Sequence, residues 1–478
     1  MLFSSLFFIF IFLPVVLVLY FISGNIKYKN VLLLIASLVF YSWGNVGLGI
    51  AMMSVIVVDY YCAILIEDGK RKLGIGIALS SNLGLLAYFK YTDFAFENYN
   101  LLIKSLGLSS GYLAELPHIA LPIGISFYVF QTLSYVIDVY RNEVRANQSF
   151  LEVATFVTMF PQLVAGPIIK YHDVSKQLRE RHVTQYEFAT GVVRFIIGLS
   201  KKVLLANTFA FIADTIFGYE ITRLGSPTAW LGIIAYALQI YYDFSGYSCM
   251  AFGLGKMLGF DFMENFNYPY IAVSVREFWR RWHISLSSWF RDYLYIPLGG
   301  SRKSEARTYF NLLIVFFATG IWHGAGWNFV VWGLWHGVFI MAERLFLDKI
   351  LVRLPRFVGH LYLLLVVLIG WVFFRCENLT SAVEYLKTMF SFNNGCFSIS
   401  DLYEVFITRE ILVYTVIAVV FAMPTYHWAF QFVEKHTNEW VQSKVVFPLF
   451  CLILGFAFLL CTSYLVSDTY NPFIYFRF

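Results

Sequence analysis

The sequence predicts an all-α protein that crosses a membrane many times, and three observations carry that reading. Only 14% of the 478 residues are charged, where soluble domains carry about a quarter. Hydrophobic residues make up 59%, and the mean hydropathy is +0.67. Near-continuous apolar runs recur along the chain: Leu2 to Ile22, Val31 to Trp43, Val46 to Ile66, Leu313 to Trp322, Leu361 to Phe374, Ile411 to Met423 and Val445 to Leu465. A hydrocarbon core of ~30 Å takes about 20 helical residues. Inside it every backbone N–H and C=O must be paired within its own segment, which selects helices. The runs predict about ten to twelve crossings, some short enough to be tilted, broken or re-entrant.

Taken in order, the first run reads as a retained transmembrane helix bent at Pro14. No basic residue precedes Lys27, the apolar core exceeds the ~7–15 residues of a cleaved signal, and no A-x-A site follows. Lys27 and Lys29 follow this first span, and Lys70, Arg71 and Lys72 follow the third, while the link from Ser42 to Asn45 is uncharged. Basic loops mark the cytoplasmic side, so the N-terminus is expected outside. The same bias explains the net charge of +5 and leaves nothing to suggest nucleic-acid binding. Further on, "LPIGISFYVFQTLSYVIDVYR" (Leu121 to Arg141) and "FPQLVAGPIIKY" (Phe160 to Tyr171) mix apolar content with Pro and Gly breaks. Such backbone survives at membrane depth only inside protein or beside a cavity. "LQIYYDFSGYSCMAFGLGKMLGF" (Leu238 to Phe260) sets Tyr242 and Asp243 inside a long helix, as candidate supports for a buried site. Glu377 to Glu410 is the one long polar interruption, expected as an extramembrane excursion with short helices. The six cysteines form no C-x-x-C pair and no metal spacing, so they read as small apolar fillers. Residues 1–478 are expected to form a single membrane domain.

Chemistry concentrates in two stretches. "VREFWRRWHISLSSWFRDYLYIPLGGSRK" (Val275 to Lys303) interleaves arginines with aromatic rings around His283, a pattern suited to a cytoplasmic interface. Arg280 and Arg281 are candidates for gripping the phosphates of an acyl carrier. "GIWHGAGWNFVVWGLWHG" (Gly320 to Gly337) writes the tripeptide WHG twice, with His323 and His336 in apolar surroundings. His323 lies fourteen residues past the re-entry near Tyr309, roughly 21 Å deep at ~1.5 Å per residue. On one unbroken helix the two histidines, thirteen positions apart, would sit roughly 220° around the axis and face nearly opposite ways. That argues against a symmetric dyad, and the spacing is not the i, i+4 of a zinc helix, so no metal is expected. Trp322 shields the ring of His323 on one side, and Gly324 leaves room on the other. His336 reads as a packing or supporting residue.

Seven strings together resemble the membrane-bound O-acyltransferases, in particular the bacterial branch of alginate O-acetyltransferase type: "FPQLVAGPI", "GLSKKVLLAN", "YDFSGYS", "NYPYIA", "EFWRRWHISLSSWFRDYLYIPLGG", "GIWHGAGWNFVVWGLWHG" and "PFIYFRF". The resemblance implies a helical bundle with a thinned centre, where a tunnel joins a cytoplasmic donor site to an outer acceptor funnel. It places the family's invariant histidine on His323 and a second polar active-site position on His283. Moving an acyl group from a thioester to a hydroxyl needs a base, and histidine, with an ordinary pKa of ~6.5, suits that task near neutrality. His283 is then expected to donate to the developing oxyanion. The expected function is acetyl transfer from a cytoplasmic thioester, acetyl-CoA, to an extracellular polysaccharide. No bound cofactor is expected, the location is the bacterial cytoplasmic membrane, and a periplasmic or surface esterase-like partner completes delivery. The alternatives are D-alanyl transfer to teichoic acid and a transporter without acyl chemistry, although no inverted repeat is visible.

Overall fold

The computed structural model describes residues 1–108, 119, 121–393, 395, 408–437, 441–467 and 470–474, and among them all regular structure is helical. Six helices in this set are long and apolar enough to cross a membrane: Val46–Glu67, Arg71–Ser105, Gln185–Phe217, Trp327–Leu351, Arg356–Arg375 and Gln442–Ser467. Counting apolar runs predicts more crossings because it includes shorter helices such as Phe8–Ile22.

Local chemistry sets the helix ends. The interruption expected at Pro14 takes the form of a π-helical turn, Phe8–Phe12, running into α1 (Leu13–Ile22). Proline has no N–H to give the carbonyl one turn back, so the ladder widens there. Asn25 caps α2 (Ile26–Ser42), its Oδ1 accepting from the amides of Lys27 (2.9 Å) and Tyr28 (3.3 Å). Asn45 does the same for α3 (Val46–Glu67) at Gly47. A second π-turn, Ala87–Tyr91, joins α4 (Arg71–Leu86) to α5 (Thr92–Ser105). After α6 (Ile125–Tyr140) and α7 (Phe150–Thr158), α8 (Gln185–Ser200) continues through another π-turn into α9 (Asn207–Phe217).

The bundle is organised on α10 (Ser226–Leu258), a helix of 33 residues that is buried for most of its length. It meets α8 at glycines. A Cβ on Gly191 would stand 2.6 Å from the carbonyl oxygen of Gly253, and one on Gly198 2.6 Å from that of Gly246. Only hydrogen fits there, so the backbones touch, the usual small-residue solution for helices in lipid. Beyond α10 come α11 (Val275–Arg281), α12 (Ile284–Phe290), α13 (Glu305–His323), α14 (Trp327–Ala342) and α15 (Arg356–Arg375).

The polar stretch after α15 begins as α16 (Leu379–Met389), which is folded against the bundle. Tyr385 donates to the carbonyl of Ala229 (2.9 Å) and stacks on Phe217, and Ser226 Oγ donates to the carbonyl of Met389 (2.6 Å). Residues 394 and 396–407 of the expected excursion lie outside the described residues. The remaining helices are α17 (Arg409–Phe421), α18 (Thr425–His436) and α19 (Phe447–Ser467).

Contacts between helix ends define one polar, basic face. Arg181 donates to Tyr20 Oη (2.7 Å) and Asn30 Oδ1 (2.8 Å), while Tyr20 donates to the carbonyl of Leu258 (2.6 Å). Arg71 reaches Asn142 Oδ1 (2.8 Å), Lys170 pairs with Asp292, and Arg276 pairs with Asp348. The end of α1, the start of α2, the end of α10 and the arginine–aromatic segment therefore share this face.

Candidate active site

α13 stops at His323 because Gly324 and Gly326 leave the helix in extended conformation before α14 begins. The two helices cross in close contact. A Cβ on Gly320 would stand 2.4 Å from the carbonyl oxygen of Phe329, and one on Gly333 2.3 Å from that of Phe316. The glycines of the WHG stretch thus let α14 fold back along α13 and hold His323 deep in the protein.

A helix end leaves its last carbonyls without donors, and here the π-turn between α4 and α5 supplies them. Lys90 Nζ donates to the carbonyls of Trp322 (2.5 Å) and His323 (3.0 Å), and Tyr91 donates to that of Ile321 (2.5 Å). A cation at a helix C-terminus also complements the helix dipole. Sequence reasoning missed Lys90, whose only signal is a lone lysine inside an apolar run.

His283 occupies the junction of α11 and α12 in the left-handed region, at φ +45° and ψ +54°. Non-glycine residues enter this region rarely, and they persist there only when the surroundings hold them. Asn265 does much of the holding. Its backbone carbonyl accepts from the amide of Ile284 (3.0 Å), and its Oδ1 accepts from Ser285 N (3.1 Å) and Ser285 Oγ (2.9 Å). Ser285 Oγ also accepts from the amide of Ile168, which ties in the broken segment after Phe160. Asn265 was not singled out from the sequence either.

The ring centroids of His283 and His323 lie 6.4 Å apart, with Trp322 beside both, at 6.1 Å and 4.8 Å. Phe244 packs edge-on against His283 at 4.6 Å. Both ring nitrogens of His283 are buried and neither has a hydrogen-bond partner among the described residues. Trp322 donates to the carbonyl of Ser126 (3.4 Å), which fixes the indole between the two imidazoles.

His323 borders two small cavities. One, of about 30 Å³, is walled by Lys90, Pro122, Ser126 and Trp322, and the other, of about 10 Å³, is walled by aromatic rings together with Ile240 and Ile474. A third, of about 200 Å³, lies under the arginine–aromatic segment between Trp279, Ser287, Arg291, Tyr295 and Thr319. Ser287 is one helical turn from His283, and neither histidine lines this space.

The other candidates separate clearly. His336 is fully buried, edge-on to Trp279 (5.3 Å) and Trp332 (5.4 Å), with Gly370 against its Nε2. It lines none of the three cavities, and Trp332 stands between it and His323. Asp243 pairs with Lys202 (2.8 Å) and accepts from the amide of Ile474 (2.8 Å), so it anchors residues 470–474. Tyr242 donates to the carbonyl of Ala418, joining α10 to α17 away from the histidines. Arg281 is held by Glu277 (2.9 Å) and the carbonyl of Asn267 (3.1 Å), whereas Arg280 is exposed and has no partner among the described residues. The guanidinium on the cavity wall belongs to Arg291.

Among the described residues one histidine–carboxylate group converges: Asp138, Glu143 and His172, with candidate ligand atoms within 4.8 Å. Asp138 already accepts from Tyr293 (2.7 Å) and bonds His172 Nδ1 (2.8 Å), so it is an internal ion-pair network on the basic face.

The fold is thus a polytopic helical bundle with two histidines buried side by side. Comparison with known families names the class. The model of the membrane-bound O-acyltransferase family matches residues 32–383, and the chain belongs to that family. It is 44% identical to the probable alginate O-acetylase AlgI of Azotobacter vinelandii over 88% of this chain and 84% of that one. The corresponding protein of Pseudomonas putida is 40% identical over the whole of both chains. The peptidoglycan O-acetyltransferase of Helicobacter pylori is 34% identical over 100% of this chain and 98% of its own. The protein is a multi-pass membrane O-acyltransferase.

Proposed function

We propose that this enzyme moves an acetyl group from a cytoplasmic thioester, acetyl-CoA, across the membrane for O-acetylation of an extracellular polysaccharide. The observation that carries the reading is the buried His283–His323 pair, ring centroids 6.4 Å apart, with His323 lining a cavity of about 30 Å³ beside Lys90 and Ser126. The names of the long relatives, acetylases of alginate and of peptidoglycan, favour acetyl as the group and a glycan as the destination.

In this reading the basic face is cytoplasmic, following the positive-inside rule, and the N-terminus is outside. All 478 residues act as one domain with no bound cofactor. The donor lies with its phosphates near Arg280 and Arg281 and its thioester at the histidines. His323 takes the proton from the acceptor hydroxyl as the oxygen attacks the thioester carbonyl carbon. The new C–O bond forms, and the carbonyl oxygen gains negative charge, which an N–H of His283 meets. Collapse breaks the C–S bond, and the thiolate leaves with the proton that His323 had taken. A base of this kind contributes ~10²–10⁴-fold, and a preorganised oxyanion donor a comparable factor. Delivery to the polymer is completed by an esterase-like partner outside the membrane.

Inverted membrane vesicles supplied with acetyl-labelled acetyl-CoA test the proposal. Label should move to material inside the vesicles with wild-type protein and fall to background with His323→Ala. Equal labelling by both would remove His323 from the chemistry, and no labelling by wild type would remove acetyl-CoA as the donor.

A further inference from the structure

The last described residues, 470–474, return from the end of α19 into the middle of the bundle, where each is tied down. Tyr470 donates to Asp214 Oδ2 (2.8 Å), and Asn471 donates to Ser4 Oγ (2.9 Å). Lys202, buried in the π-turn after α8, donates to the carbonyl of Pro472 and pairs with Asp243. Asp243 in turn accepts from the amide of Ile474 at 2.8 Å. Phe473 packs on Tyr247 at 5.0 Å. The outcome is a clamp that drives one aliphatic side chain, Ile474, into the core at 3% exposure.

Ile474 faces the smallest of the cavities that touch His323. That space measures about 10 Å³, and its other walls include Trp282, Trp332, Trp371 and Phe374. A volume of this size holds about one water-sized group. The rings are locked against one another, with Trp282–Trp371 at 5.0 Å and Trp332–Phe374 at 4.9 Å. They belong to helices whose movement would disturb the whole packing. Ile474 instead sits on a short strap and supplies part of the wall of this space.

We propose that Ile474 sets the length of the acyl group: the cavity accepts the methyl of an acetyl group lying at His323 and excludes longer chains. This rests on the reading of His323 as the site of acyl transfer. A pocket that accommodates one extra methylene typically changes discrimination by about 10–200-fold. Trimming the side chain should therefore admit propionyl and then butyryl.

Full-length wild type, Ile474→Val and Ile474→Ala, in membrane vesicles, would be assayed with acetyl-, propionyl- and butyryl-CoA. Wild type should prefer acetyl. Ile474→Ala should raise the propionyl-to-acetyl ratio of kcat/KM by at least tenfold, and Ile474→Val should move it the same way by less. Should the alanine variant fail to accumulate, the ratio for the valine variant decides. An unchanged ratio in a folded variant, with wild type active on acetyl-CoA, overturns the gauge alone. A wild type inactive on every thioester overturns the acyl-transfer reading and the gauge with it.

Discussion

Lys90 holds the end of the helix that carries His323, its Nζ donating to the carbonyl of His323 at 3.0 Å from 233 residues away in sequence. It does not touch the imidazole, so its effect is on where the ring stands. Lys90→Met keeps the stem and removes the donors. We expect kcat to fall by roughly 10–100-fold, the cost of a sub-ångström to 1 Å misplacement, with the KM for donor unchanged. Steady-state kinetics in vesicles checks this; an unaltered kcat would make Lys90 a bystander.

The two WHG histidines should part company. His323→Ala should lose about 10²–10⁴-fold in rate, and His323→Gln, which better fills the space among Trp322, Trp332 and Phe374, should lose as much with a melting temperature nearer wild type. His336→Ala empties a ring-sized site between Trp279 and Trp332 and should destabilise by roughly 2–5 kcal/mol while retaining activity. Acetate released from the secreted polymer, measured beside a detergent melting curve, separates them. A stable but inactive His336→Ala protein would place both histidines in the chemistry.

Arg280 and Arg281 are unequal in the fold, and their variants should be unequal too. Arg281 is occupied by Glu277, while Arg280 is exposed. Arg280→Gln should raise the KM for the CoA thioester by about tenfold, the value of one charge-assisted hydrogen bond, and Arg281→Gln by less. Identical KM values in all three proteins would leave these arginines as interfacial anchors.

Orientation is open to direct measurement. Cysteines placed at Lys72 and Lys303, both exposed on the basic face, should resist an impermeant thiol reagent in intact cells and react once the cells are opened. Labelling from outside would invert the topology.

His172 lies outside the spanning helices, between Asp138 and Asp173, and hydrogen bonds to those carboxylates push its pKa up to about 10. A raised folded-state value means the contribution to stability is complete below the unfolded value near 6.5 and is lost as pH climbs through about 10. The gap in melting temperature between wild type and His172→Gln should be widest at pH 6 and shrink toward pH 10. A gap that grows with pH would refute the assignment of a protonated His172.

How much of this was legible in the sequence depends on the range of each interaction. The helical membrane class followed from composition, since lipid tests every residue in the same way. His283 and His323 stood out because an imidazole in an apolar run is chemically conspicuous, and the fold sets their rings 6.4 Å apart. Asn265 and Lys90 did not, since an asparagine in a loop and a single lysine within a long helical run are ordinary until a distant partner is known. Asp243 attracted notice as a buried acid, but its partner, Lys202, sits 41 residues earlier in a stretch that reads as plain interfacial charge. Tyr242 shares its helix and points to α17 instead, because neighbours on a helix diverge by about 100°.

The strap that carries Ile474 is made after every helix it crosses. A chain still leaving the ribosome, or one cut short by a premature stop, has the histidines but lacks the piece that closes the space beside His323. Synthesis order therefore closes this space only after the helices that frame it have been made.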